Sequence, residues 1–121
     1  MSQTIRIAMV AGEASGDLLA SLLIQSLKKR LPDARFFGIG GPKMQAVGFQ
    51  ALFPAEKLAV RGYAEVLKHY REIAGIRSKL LSAMLSDPPH AFIGVDAPDF
   101  NLHLEKRLKA RGIPAIHYVS P

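Results

Sequence analysis

VAGEASGDLLA, residues 10 to 20, joins an apolar run to a helical pattern through a turn of small residues. A glycine-rich turn at such a junction usually receives a phosphate, because the first amides of a helix have no partner within it and point outwards. This turn instead carries two carboxylates, Glu13 and Asp17. It does not read GxGxxG, and it lacks the Lys-Ser/Thr ending of a P-loop. A dinucleotide cradle, and with it an NAD-dependent oxidoreductase, is therefore disfavoured.

The residues on either side of the turn set the fold class. Ile5 to Ala11 form a nearly continuous apolar run, which suits a strand covered on both faces of a parallel sheet. From residue 17 to 31 the period changes. Leu19, Leu23, Leu27 and Leu31 recur every four residues, and Lys28 and Lys29 fall in the last turns, where the helix dipole favours cations. Further strands are expected at residues 35–40, 50–53, 91–95 and 115–119. Between them lie a short helical piece at 41–48, a helix over 55–86 broken near Gly62, and a helix over 99–111 that Gly112 terminates. Strands alternating with helices imply an α/β doubly wound parallel sheet, Rossmann-like, with right-handed crossovers and about five strands in the order 3-2-1-4-5.

That topology gives the opening turn a partner. Ligands of such sheets bind beyond the carboxyl ends of the first and fourth strands. The loop after strand four begins GVDAPDF, residues 94 to 100. Glu13, Ser15 and Asp17, with Gly12 and Gly16, would then face Asp96, Asp99 and Asn101 across one crevice. Capping explains some of these residues: Ser15 suits an N-cap with Asp17 in the first turn, and Asp96 suits an N-cap with Pro98 and Asp99 following. Glu13 has no evident capping task. Two acidic loops are poor hosts for a pyrophosphate but good acceptors for hydroxyl groups, and a desolvated carboxylate among them can take a proton from an attacking alcohol. The crevice reads as a sugar site with a general base.

Composition narrows the remaining classes. The chain has 121 residues, a net charge of +6 and no cysteine, which leaves no disulfide framework and no zinc-thiolate site. The basic balance favours an anionic partner: nucleic acid, lipid surface or phosphorylated substrate. No nucleic-acid motif is present. No signal peptide is evident at the start, and no apolar run reaches the ~20 residues of a membrane span.

Five stretches together resemble the lipid-A-disaccharide synthase family: GEASGD (12–17), GIGGPKMQAVG (38–48), LAVRGYAEVL (58–67), FIGVDAPDFNL (92–102) and HYVSP (117–121). The resemblance runs nearly the length of the chain and in the same order. It implies a cytoplasmic, inverting GT-B glycosyltransferase, peripheral to the inner membrane, that uses no metal or cofactor at these positions. Its substrates would be UDP-2,3-diacylglucosamine and 2,3-diacylglucosamine 1-phosphate, and its products the β-1,6-linked lipid A disaccharide 1-phosphate and UDP. Because family members are much longer, residues 1–121 would be a partial amino-terminal, acceptor-side domain whose carboxyl-terminal donor domain is not within this chain. A non-catalytic Rossmann-like module that binds a phosphosugar or a partner is the alternative.

The resemblance also implies roles. Asp96 matches the family's proposed catalytic aspartate. Glu13, Ser15 and Asp17 match the family's turn and would position sugar hydroxyls or phosphate; Gly16 of the same turn, and Asp99 and Asn101 across the crevice, are substrate-binding candidates from their placement. Gly40, Gly41 and Met44 match a further motif that reads as a turn with packing. His117 reads as structural or acceptor-lining, and His69, His90 and His103 as surface residues. Acylated substrates require contact with an anionic membrane surface, for which Arg61, Val66, Lys68, Tyr70 and Arg71 are the candidates. Cations beside an apolar face gain about 1 kcal/mol each near anionic lipid.

Overall fold

The computed structural model describes the backbone of residues 4–54, 63–96 and 98–118, and the side chains of residues 4–53, 71–96 and 100–118. The elements run β1 (Arg6–Ala11), α1 (Ala14–Arg30), β2 (Arg35–Gly40), α2 (Pro42–Ala46), β3 (Phe49–Pro54), α3 (Tyr63–Ser86), β4 (Ala91–Val95), α4 (Pro98–Ala110) and β5 (Ala115–Tyr118). All five strands are parallel, in the order β3-β2-β1-β4-β5, as the alternation of strand and helix predicts.

The central strands are apolar on both sides because both sides are covered. Ile7, Met9 and Ala11 of β1 pack with Ala20 and Ile24 of α1 and Met44 of α2. Ala8 and Val10 face the other way, towards Leu80 and Met84 of α3 and Leu104 and Leu108 of α4. A strand with this double burial cannot show the period-two alternation of a half-exposed strand. Each fully buried side chain of this size contributes about 1.5–3 kcal/mol.

Several boundaries differ from those the sequence predicts, each for a local reason. Helix α1 begins at Ala14, three residues early. Glu13 is extended (φ −128°, ψ 166°), and the first helical bond, Asp17 N–H to the Glu13 carbonyl at 2.8 Å, closes the turn there. Ser15 consequently lies inside the helix and is not its N-cap. The leucine stripe is also displaced: the deepest face of α1 is Gly16, Ala20 and Ile24, with Leu19, Leu23 and Leu27 half-buried beside it. Helix α4 begins at Pro98, two residues beyond Asp96, so Asp96 is not at its N-cap either. Strand β5 is the sheet's edge and leaves Ile116 and Tyr118 exposed.

Candidate functional site

The site begins with a register. Parallel pairing sets Ala11 of β1 opposite Val95 of β4, so the turns that follow leave the sheet side by side. Gly16, in the first turn of α1, seals the junction. A β-carbon there would touch the Ala11 side chain at 3.5 Å and the Val95 carbonyl at 3.7 Å, ordinary packing distances. Residues 13 and 96, far apart in sequence, therefore stand at one end of one pair of strands.

Asp96 is the most unusual residue of this end. Its φ is +53°, the one positive value among the described non-glycine residues. L-residues rarely enter this region; aspartate does so more readily than most, and the cost is tolerated where neighbours over-determine the backbone. They do so here. The Asp96 N–H donates to the Tyr118 carbonyl at 3.1 Å, and its carbonyl accepts from Asn101 Nδ2 at 2.8 Å. The residue itself is half-buried.

Asn101 is fully buried beneath the strand ends. Its Nδ2 also approaches the carbonyls of Val10 at 3.3 Å and Val95 at 3.5 Å. Three carbonyl oxygens around one terminal atom identify that atom as the amide nitrogen, since only a donor is stable there. No donor among the described residues reaches Oδ1. The amide is engaged with the backbone of the two central strands, not directed as a ligand for sugar.

Asp17 has a structural task as well. It is buried, and its carboxylate turns sideways onto the start of α2. Oδ1 accepts from the N–H groups of Gly41 (3.1 Å) and Met44 (2.9 Å), and Oδ2 from that of Lys43 (3.0 Å). It thus caps the neighbouring helix, 24 residues further on, instead of its own. Gly41 makes room for it: a β-carbon there would lie 2.6 Å from Oδ2. At the other end of α2, Lys28 Nζ donates to the Val47 carbonyl.

Glu13 and Ser15 remain open to the outside. Both are exposed, and the Glu13 side chain makes no capping bond. The side chains of Asp99, Val66, Lys68 and Tyr70 lie outside the described residues, as does Arg61 altogether. Arg71 is exposed on α3.

One buried pair was not read from the sequence. Glu105 of α4 meets His117 of β5, Oε2 to Nδ1, at 2.8 Å, while His117 Nε2 is buried with no partner among the described residues. The missed signal was the i, i+4 spacing of Asn101 and Glu105, which puts both on the face of α4 that meets Gly94. His90, read as a surface residue, is exposed yet accepts from the Arg6 N–H through Nδ1. His103 is exposed, and its pKa is pushed below 6.5 by partial burial first and then by Arg77, Arg107 and Lys106. A cavity of about 520 Å³, lined by Thr4, Ile5 and residues 30–35, lies at the amino ends of the strands and contains none of the candidate residues.

Residues 7–121 match the family model described as Lipid-A-disaccharide synthetase. A lipid-A-disaccharide synthase of Azoarcus sp. (strain BH72) is 69% identical over 116 residues, 96% of this chain and 30% of that protein. That of Dechloromonas aromatica (strain RCB) is 67% identical over 121 residues, 100% of this chain and 32% of that protein. The chain thus spans about 30% of the length of these relatives. Among solved structures, a glycotransferase of kitacinnamycin superposes with a TM-score of 0.64 at 20% identity, over 99% of this chain and 31% of that one. At that identity the likeness speaks for the fold alone.

Proposed function

This chain belongs to the lipid-A-disaccharide synthetase family, and from that membership we propose that it forms the acceptor-side part of a glycosyltransferase that builds the lipid A disaccharide. The donor is UDP-2,3-diacylglucosamine and the acceptor 2,3-diacylglucosamine 1-phosphate. The observation that carries the reading is Asp96, a half-buried carboxylate on a left-handed residue at the end of β4, beside the turn after β1.

The chemistry follows from what those groups can do. Asp96 accepts the proton of the acceptor's 6-hydroxyl as that oxygen attacks the donor's anomeric carbon. The bond to UDP breaks on the opposite side, which inverts the configuration. Charge develops as in other glycosyl transfers, with oxocarbenium character at the anomeric carbon. A positioned base of this kind contributes roughly 10²–10⁴-fold. Glu13, exposed and free of a capping bond, accepts from sugar hydroxyls. The unpaired amides of residues 14–16 at the start of α1 receive a phosphate oxygen. Asp17 takes no direct part, since both its carboxylate oxygens are committed to the backbone of α2, and the amide nitrogen of Asn101 is committed to the strand-end carbonyls.

The same reading places the protein at the cytoplasmic face of the inner membrane, where acylated sugars lie, with the cations of α3 and the residues just before it against anionic lipid. Among the described residues no helix is long and apolar enough to cross a membrane. The test is an assay of the full-length protein with both substrates in anionic vesicles. It is expected to release UDP and a disaccharide 1-phosphate, and to lose rate in neutral vesicles or high salt, where surface attraction is screened. Transfer to a different acceptor only, or a rate indifferent to lipid charge, would contradict the substrate or the membrane part respectively.

A further inference from the structure

We propose that Asn101 is a positioning residue: buried in α4, it clamps the carbonyl of Asp96 and thereby fixes the direction of the carboxylate that takes the acceptor's proton. The inference rests on the reading of Asp96 as the base.

Three observations converge on it. Asp96 adopts φ +53°, a conformation its own backbone does not favour, so something outside the residue must hold it. Its N–H is anchored to Tyr118 on β5, and its carbonyl to Asn101 Nδ2 at 2.8 Å, the shortest of the three approaches that nitrogen makes. The other two approaches reach Val10 and Val95, the penultimate residue of β1 and the last of β4. One amide therefore references the strained residue to both central strands. A general base works only within a narrow range of direction and distance, and a displacement near 1 Å costs on the order of 100-fold in rate.

The approach of α4 is arranged for this contact. Gly94 lies two residues before Asp96. A β-carbon there would stand 2.9 Å from the β-carbon of Asn101 and 2.7 Å from Oε2 of Glu105. Any side chain at residue 94 would push α4 outwards and draw Asn101 off the Asp96 carbonyl. Gly94 and Asn101 are two handles on a single hydrogen bond, one from the strand and one from the helix.

The test uses the full-length enzyme and five variants: Asn101→Leu, which keeps the shape and removes the donor; Gly94→Ala; Asp96→Asn; and Asn101→Leu and Gly94→Ala each combined with Asp96→Asn. With folded protein confirmed by circular dichroism, Asn101→Leu is expected to lower kcat roughly 100-fold while KM stays within about twofold. In the Asp96→Asn background the same change is expected to cost nothing further, because it acts only through Asp96. A merely structural role would cost the same factor in both backgrounds, and a substrate-binding role would appear in KM; either result overturns the inference, as does wild-type turnover by Asn101→Leu. Should that variant fail to fold, Gly94→Ala reads the same contact with the amide intact and is expected to show the same kcat loss, again absent beside Asp96→Asn. Wild-type turnover by Asp96→Asn alone would instead remove the base, and with it the function proposed above.

Discussion

Asp17 shows how much one buried side chain can decide. Its carboxylate satisfies three amides that would otherwise be orphaned at the start of α2, and it joins that helix to α1. Hydrogen bonds to a charged group are worth about 1.5–3 kcal/mol each, and removal also leaves the amides buried without a partner. Asp17→Ala is therefore expected to destabilise the domain by about 3 kcal/mol or more, with faster hydrogen exchange at Gly41, Lys43 and Met44 as the local signature. Unchanged exchange at those three amides would show that the cap is dispensable. Nothing around residue 17 announces this role, because its partners stand 24 to 27 residues away. A carboxylate in the first turn of a helix reads equally well as a dipole partner, a ligand contact or a cap for a neighbour. Only Gly41, which clears space for it, hints at the last.

At the scale of elements, α3 and α4 bring cations together at His103. Arg77 of α3 lies over the ring of Phe100 at 6.0 Å, and with Arg107 and Lys106 it surrounds His103. Partial burial first, and then these neighbouring cations, disfavour the protonated imidazole, so the folded state binds that proton less readily than the unfolded chain does. The sign follows: this group's contribution is fully present above pH 6.5 and erodes as the pH falls below it. Because the imidazole is exposed, the effect on stability is small, and titration is the better readout. An NMR titration is expected to give His103 a midpoint below 6.5 that rises with added salt and in Arg77→Gln. A midpoint at or above 6.5 and insensitive to both would contradict the arrangement. The elements themselves were legible from the sequence because their signals are local: apolar runs for the buried strands, four-residue spacing for α1, and Gly112 for the end of α4. What escaped was set by contacts between elements. The start of α1 moved to Ala14 because Glu13 ends the extended chain without using its side chain. Asn101 read as a ligand group because its polarity was visible and its three carbonyl partners were not.

For the molecule as a whole, strand order is what makes a site from residues remote in sequence. With β1 and β4 adjacent at the centre, Glu13 and Asp96 leave the sheet at one end, while α2 and α4 are each fastened to that end by a buried side chain, Asp17 and Asn101 respectively. The topology was predictable from the alternation of strands and helices, and so was the adjacency of β1 and β4 that brings the turns after them to one end of the sheet. The left-handed turn at Asp96 was not, because aspartate at a strand end is compatible with several backbone conformations. The central claim is that this carboxylate takes the proton in glycosyl transfer. Its most direct measurement is the turnover of Asp96→Asn in the full-length enzyme, with both substrates present and folding verified. The account predicts a loss of roughly 10²–10⁴-fold in kcat with the fold intact; turnover near that of the unaltered enzyme would contradict it.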